Sequence, residues 1–352
     1  MNAQDRMAAE ELDRKMRPRL LRIDRLRRVV RWLTAVVYSV TLCWFVCCFG
    51  IAFFGMQLPM QQTEETWLYI LGGFAVFVML HGALMYSLTV LGEQEMQVMR
   101  ESIRRLFPDA TCRSNCGVPH RMLTDSAFFA VLHPDEAPGE HTVYGCVEFH
   151  QGGVLHTVYD IGVTTSRFAQ TIQRLPVLGF AATLYRSVVR PVFGAPIESA
   201  RYGFRGMFGV HAGPQSCRGS VILLPDRLEN KIGYLAHAIQ SYRRKHGARH
   251  VVLEDPEFEQ LFSVYADDEV EARKILTPAV MRRITALRSD LGKELMISFS
   301  GKMIYCAAEI PGGFLRPARK SLKTRGLFCE IHHEIALMRT LPETLFAPPS
   351  AQ

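Results

Sequence analysis

Two long apolar runs stand near the start of the chain, and each is long enough to cross a lipid bilayer. The first, Trp32 to Phe54, contains no Asp, Glu, Lys or Arg, and the second, Trp67 to Leu91, also lacks formal charge. A helix rises about 1.5 Å per residue, so either run covers the roughly 30 Å hydrocarbon core. Neither run shows the polar face of a helix packed on a soluble core. The pattern predicts a transmembrane hairpin with spans 32–54 and 67–91.

Lys and Arg are concentrated on one side of these runs. Residues 1–31 contain ten Lys and Arg against five Asp and Glu, and three arginines lie within residues 100–105. The connecting segment 55–66 carries only two glutamates. Because basic flanks stay on the cytoplasmic side, both termini are predicted to be cytoplasmic. A cleaved signal peptide is disfavoured, since the basic and apolar segments are both too long and no small-residue cleavage site follows.

The segments on either side of the runs have helical periodicity. Apolar residues recur every three or four positions through residues 1–31, which predicts a basic amphipathic helix with a break at Pro18. Its arginines could face anionic headgroups or simply solvent, and the sequence favours neither. Residues 92–107 predict a continuation helix ended by Pro108. The chain therefore divides into a basic segment 1–31, a hairpin 32–91 and a cytoplasmic domain 92–352.

After the apolar runs, hydrophobic and polar residues alternate with the period of two that is typical of strands. Thr142–Phe149 and Val154–Val163 alternate around a Gln-Gly-Gly turn at 151–153, which predicts a β-hairpin. Residues 294–300 and 303–308 alternate around Gly301 and predict a second hairpin. Residues 109–119 are predicted to be a turn-rich link.

Helices separate these strands. Thr277-Pro278 predicts an N-cap followed by proline at the first helical position, and an apolar stripe then runs to Gly292, which ends the helix. Residues 326–341 predict a final helix ended by Pro342, and Asp226 predicts an N-cap for a helix that begins at Arg227. Helices interspersed with hairpins predict an α+β fold, with an antiparallel sheet and packed helices behind the transmembrane hairpin.

Charge and cysteine content exclude several classes of function. The net charge of +7 is concentrated in the basic N-terminal segment, so the remaining domain is only mildly basic and no nucleic-acid partner is expected. Six of the nine cysteines lie behind the runs, on the predicted reducing side, where free thiols are expected. Cys112 and Cys116 could begin a zinc site, but only Cys329, His332 and His333 could complete it. Because that spacing is incomplete, neither metal nor cofactor is predicted.

One dense acidic tract lies in the second half of the domain and allows two interpretations. It could form a cation site or an acid–base pair, or it could supply helix caps and partners for Arg273, Arg282 and Arg283. The second is favoured because it lacks the alternating ligands of a calcium loop, and charge runs usually lie on solvated faces. Phosphate-loop, dinucleotide and nucleophile-elbow patterns are absent. The tract comprises Glu254, Asp255, Glu257, Glu259, Asp267, Asp268, Glu269 and Glu271.

Several motifs follow one another in a fixed order between Tyr202 and Ile310. They are Phe204–Phe208, Pro225–Glu229, Leu253–Glu259, Phe262–Asp268, Val270–Arg273 and Ile275–Pro278. This succession resembles the bacterial family catalogued as domain of unknown function three-one-three-seven. The resemblance implies a protein anchored in the bacterial inner membrane with a cytoplasmic α+β domain, and it implies no established activity. The motif residues that are candidates for binding are Arg205, Asp226, Arg227, Asp255, Glu259, Asp267, Glu271 and Arg273.

The domain is predicted to bind a protein partner or lipid headgroups without catalysis, since no catalytic constellation accompanies these motifs. Two alternatives remain open. The first is an enzyme acting on a membrane-proximal substrate through Asp226, Asp255, Asp267 or Glu271. The second is an oligomeric scaffold that assembles through the spans. Membrane lipids are the expected surroundings, and the sequence does not indicate the oligomeric state.

Overall fold

Two long helices and an antiparallel sheet account for most of the residues that the computed structural model describes. Those residues are 3–54, 63–114, 116–128, 141–151, 153–163, 204–225, 249–317 and 326–347. The chain divides into two units. Of the described residues, one unit contains those within 1–17, 98–163 and 204–347, and the other contains those within 18–97.

Helix α1 (Ala3–Phe54) and helix α2 (Thr63–Leu106) include both apolar runs. Within residues 18–97, Val30, Val37 and Leu84 pack together at the contact between these helices. In the same unit, the Nε of Arg27 donates to Glu95 at 2.6 Å, and both side chains are largely buried. The predicted end of the continuation helix is confirmed, since α2 stops one residue before Phe107.

Helix α1 continues through Pro18, so the predicted break is wrong. Proline in a helix removes one backbone hydrogen bond and crowds the preceding turn. Here the apolar stripe continues on both sides, with Met16 and Leu20 each about 3% exposed or less. Burial of these side chains offsets the lost bond and keeps the helix continuous.

One helix among the described residues, Leu71–Leu106, is long and apolar enough to cross a membrane. Its large apolar side chains are largely uncovered, and Met79 is 74% exposed. His81 lies within this helix, and its Nδ1 is 3.0 Å from the carbonyl oxygen of Phe77 in the preceding turn. This contact lies within the helix itself, and the imidazole also meets the ring of Tyr38 edge-on, with centroids 5.6 Å apart.

The sheet is antiparallel throughout its described residues, as predicted. Its strands are β1 (Thr111–Arg113), β2 (His141–Gln151), β3 (Val154–Val163), β4 (Phe204–Pro225), β5 (Arg249–Val251), β6 (Phe262–Ala266) and β7 (Leu295–Glu309). They are ordered β1-β2-β3-β4-β6-β5, and β7 also pairs with β4. The predicted hairpin of β2 and β3 is confirmed, with Gly153 at φ 78° in its turn. The predicted link 109–119 contains β1, because Cys112 is buried and pairs opposite Val147.

Strand β4 is the centre of the sheet. Its first half lies between β3 and β7, and its second half lies between β6 and β7. The predicted hairpin around Gly301 is wrong, because residues 295–309 form one strand that pairs with β4 along its length. Gly301 has φ 58° and lies where the register shifts between Ala212 and Ser220. The glycine therefore allows a bend rather than a reversal.

Five further helices lie in the unit that contains the sheet. They are α3 (His120–Asp125), α4 (Pro256–Glu259), α5 (Glu269–Ile275), α6 (Pro278–Leu291) and α7 (Leu327–Phe346). The caps of α6 are confirmed. Thr277 accepts a hydrogen bond from the N–H of Val280, and Gly292 ends the helix at φ 63°. Helix α7 continues past Pro342, contrary to prediction, because Leu341 and Leu345 on either side of it are fully buried. The core beneath the sheet is rich in phenylalanine and includes Phe128, Phe204 and Phe208.

Candidate functional site

An open groove of about 510 Å³ lies where the β2–β3 hairpin, the bend of β4 and the last turn of α7 meet. Its volume falls in the range of about 300–1,000 Å³ that is usual for small-molecule pockets. Among the described residues that line it, Glu343 is the one with a formal charge. His156 forms its polar floor. The remaining walls are Gln151, Val154, Ala212, Gly213, Pro214, Pro342, Phe346 and Ala347.

A chain of polar side chains runs from the groove into the core. The Nδ1 of His156 is 3.2 Å from the Nδ1 of His211, and the Nε2 of His211 is 3.6 Å from the Sγ of Cys306. The thiol of Cys306 donates to the Sδ of Met338 at 3.4 Å. His211 and Cys306 are fully buried, whereas His156 is 4% exposed and lines the groove.

Strand register explains why these side chains meet. His156 on β3 pairs with Phe149 on β2, and their rings stack with centroids 5.7 Å apart. Two residues before His211 on β4 stands Gly209, opposite Cys306 on β7. A side chain at Gly209 would collide with both Cys306 and His211. The missing Cβ therefore provides the space in which imidazole and thiol approach each other.

Burial keeps the members of this chain uncharged at neutral pH. Burial, with a smaller contribution from the neighbouring His156, lowers the pKa of His211 to about 3. Burial likewise raises the pKa of Cys306 to about 12. The pKa of His156 is lowered by burial, although the carboxylate of Glu343 opposes that effect.

Two proton arrangements satisfy these distances. The Cys306 thiol donates to Met338 while its sulfur accepts from the Nε2–H of His211, or the thiol donates to the Nε2 of His211. The Nδ1 of His211 is an acceptor in the first arrangement and a donor in the second, and the Nδ1 of His156 takes the opposite role. In both arrangements the floor of the groove offers a neutral imidazole rather than a charge.

The candidate binding residue Arg205 lies elsewhere and is buried in the sheet. Its guanidinium pairs with Asp160, which is also buried and additionally accepts the backbone N–H groups of Phe314 and Leu315 at 3.1 and 3.0 Å. Gly313, at φ 97°, packs directly against this guanidinium. The Asp160–Arg205 pair therefore holds the segment that follows β7.

The acidic candidates at α4 and α5 form local caps and ion pairs. Asp255 accepts two backbone N–H groups at the start of α4, and Glu259 accepts the N–H of Leu253 at 2.7 Å. Arg273 donates to Glu269 at 2.8 Å and to a neighbouring backbone carbonyl at 2.9 Å. These contacts agree with the cap-and-partner interpretation of the tract for the described residues.

Two further acidic candidates hold the bend of β4. Asp267 accepts the N–H of Ser220 at 2.9 Å, and Glu271 accepts the N–H of Arg218 at 3.2 Å. The Arg218 N–H, together with an ion pair from Lys274, lowers the pKa of Glu271. The other candidates, Asp226 and Arg227, lie outside the described residues.

The cysteines and histidines that were considered for a zinc site make other contacts in the structure. Cys116 is hydrogen-bonded to Cys146 on β2, which lowers the pKa of Cys116. His332 stacks on Phe107 at 4.8 Å, and His333 donates to a backbone carbonyl at 2.8 Å. Among the described residues, no group of three His, Cys, Asp or Glu side chains is arranged to hold a metal ion.

The residues of the groove were missed by the motif analysis. His156, His211 and Cys306 belong to three strands and meet only through strand pairing. A usable signal was the presence of histidine within strands that are otherwise apolar, because a buried imidazole requires a partner. Glu343 gave no such signal, since it follows a proline that was expected to end the helix.

Comparison with known proteins identifies the second half of the sheet domain. Residues 203–346 match the model of a family described as protein of unknown function (DUF3137), which confirms the resemblance carried by the motifs. No curated protein matches the chain. Among solved structures, the chain is similar to the crystal structure of the mycobacterial trehalose monomycolate transport factor A, TtfA. The identity is 10% and the TM-score 0.31, over 61% of this chain and 79% of that one.

Proposed function

We propose that this chain, whose residues 203–346 match the model of a family described as protein of unknown function (DUF3137), is a membrane-anchored binding protein. Its ligand is an amphiphilic small molecule held in the groove. The observation that carries this proposal is the groove itself, which combines about 510 Å³ of mostly apolar space with the imidazole of His156. Apolar walls with a few placed polar groups are typical of ligand sites.

The groove supports binding better than catalysis. Cys306 is fully buried and remains a protonated thiol at neutral pH, so it is not a nucleophile. His211 is fully buried and uncharged. A neutral imidazole in an apolar wall offers a hydrogen bond and contact area. Of the two predicted partner classes, a protein or lipid headgroups, the volume of the groove suits part of a lipid-like molecule.

The membrane anchor is proposed to be a hairpin of two spans, 32–54 and 67–91, with both termini in the cytoplasm. Large apolar side chains along both helices support this, since Val36, Leu71 and Met85 are each more than half exposed. Exposed apolar surface of this extent requires lipid or another partner. A reporter fused after Gln352 should be active only in the cytoplasm. Activity on the outer side would contradict the proposed topology.

The groove can be blocked without disturbing the core. Ala347 is exposed and lines the groove, so Ala347→Trp fills it with an indole. Ala286→Trp places the same ring on an exposed position of α6 that does not line the groove. Both variants are expected to fold as the wild-type protein does, because neither position is buried.

The test measures small molecules that co-purify with the full-length protein in mild detergent, by mass spectrometry. Ala347→Trp should reduce the bound amphiphile by about tenfold, which corresponds to the loss of about 1.4 kcal/mol of binding free energy. Ala286→Trp should retain it. Equal amounts of bound amphiphile in the two variants would show that the groove is not the site.

A further inference from the structure

Two polar side chains around the groove, Gln151 and Glu343, present oxygen atoms that accept hydrogen bonds. The side-chain amide oxygen of Gln151 is buried and accepts no hydrogen bond from the described residues. Glu343 contributes a carboxylate. A buried acceptor without a donor costs about 1–3 kcal/mol, which a donor on the ligand would recover.

The charge of the residues around the groove also favours a ligand that donates hydrogen bonds. Glu343 is negative, and no Lys or Arg is among the described residues that line the groove. A carboxylate or phosphate placed beside Glu343 would be repelled, and it would face a further acceptor, the amide oxygen of Gln151, with no proton to share. A hydroxyl or an ammonium group instead supplies the donors that these atoms lack.

On the basis of the proposed function, we infer that the ligand is an uncharged or cationic amphiphile whose polar end donates hydrogen bonds to Gln151 and Glu343. Its apolar part lies against the walls formed by the bend of β4 and the last turn of α7. An aliphatic alcohol and an aliphatic amine represent this class. The groove selects against fatty acids and other amphiphiles with an anionic end.

Three probes of equal chain length separate these classes, namely decan-1-ol, decylamine and decanoate. Full-length protein is held in an amphipol, which leaves no free micelles to absorb the probes. Each probe then competes with an uncharged fluorescent apolar dye. Dye displacement that is still seen with Ala347→Trp is subtracted, because it reports binding outside the groove.

Decan-1-ol and decylamine should displace the dye, and decylamine should do so at a concentration about tenfold lower than decanoate. Glu343→Gln removes the negative charge at an exposed position while keeping an acceptor oxygen. It should reduce the advantage of decylamine over decanoate to about twofold or less. Its effect on decan-1-ol should be small.

The outcomes distinguish this inference from the function on which it rests. If decanoate displaces the dye as well as decylamine does, the ligand class is wrong although the groove still binds amphiphiles. An unchanged preference for decylamine in Glu343→Gln would also overturn the role of that carboxylate. If no probe shows binding that Ala347→Trp abolishes, both the inference and the proposed function are wrong.

Discussion

Asp160 carries a formal charge on a fully buried side chain, so its partners decide whether it stabilises the fold. Arg205 supplies the opposite charge, and two backbone N–H groups from Phe314 and Leu315 complete the shell. Transfer of a carboxylate from water to the interior costs several kcal/mol, which only full pairing offsets. The pair therefore fixes the segment after β7 rather than recognising a ligand.

Removal of the Asp160 charge should destabilise the folded protein. Asp160→Asn removes the carboxylate that pairs with the buried Arg205 guanidinium, so the free energy of unfolding should fall by about 3–5 kcal/mol. The segment after β7 should also loosen, because the acceptor for its N–H groups is weaker. Urea unfolding of the full-length protein in mild detergent measures the first effect. Chymotrypsin cleavage after Phe314, which is fully buried in the wild-type protein, measures the second.

Two further variants control this experiment. Glu257→Gln neutralises an exposed carboxylate and should change stability by no more than about 0.5 kcal/mol. Combining Asp160→Asn with Arg205→Met also removes the buried positive charge, so the double variant should be more stable than Asp160→Asn alone. If Asp160→Asn matched Glu257→Gln in stability, the pair would not hold this segment.

At the scale of elements, signals that act within a few residues were readable from the sequence. The start and end of α6 follow from Thr277, which caps it, and from Gly292, which adopts a left-handed conformation. Signals that depend on distant partners were not readable. Gly301 predicted a turn, but whether a glycine bends or reverses a strand depends on the neighbouring strand, here β4.

The same limit explains the errors at proline and the missed groove. Pro18 and Pro342 oppose helix continuation locally, yet apolar residues buried on both sides outweigh the lost hydrogen bond. The groove requires β2, β3, β4 and α7 to be assembled before its walls exist. His156 and His211 are separated by 55 residues, and no local pattern indicates that their rings meet.

At the scale of the whole molecule, the buried imidazoles couple stability to pH. The pKa of His211 is about 3 in the folded protein, against an ordinary value of 6.5. Between these two pH values the unfolded chain binds a proton that the folded chain excludes. The stabilisation is therefore complete above pH 6.5 and is lost as the pH falls toward 3, by up to about 1.4 kcal/mol per pH unit. The lowered pKa values of His156 and His332 act in the same direction.

We expect the melting temperature of the full-length protein to fall steadily between pH 6.5 and pH 4.5. His211→Gln removes the group with the largest shift, so its melting temperature should depend less on pH in this interval. His250→Gln alters an exposed histidine and should keep the wild-type dependence. Thermal unfolding at pH 7.5, 6.5, 5.5 and 4.5 measures all three proteins.

His211→Gln also interrupts the row of contacting side chains His156, His211 and Cys306, and the variant could unfold for that reason alone. An independent measurement on the wild-type protein is therefore needed. A carbon-13 NMR titration of labelled histidine should find one imidazole that stays neutral down to about pH 4, since burial and His156 both oppose its protonation. That resonance should be the one missing from His211→Gln. If every histidine of the folded protein titrated near pH 6.5, the neutral chain would not exist. His156 would then be a cation at mildly acidic pH, and the groove would attract the anionic amphiphiles that it is expected to reject.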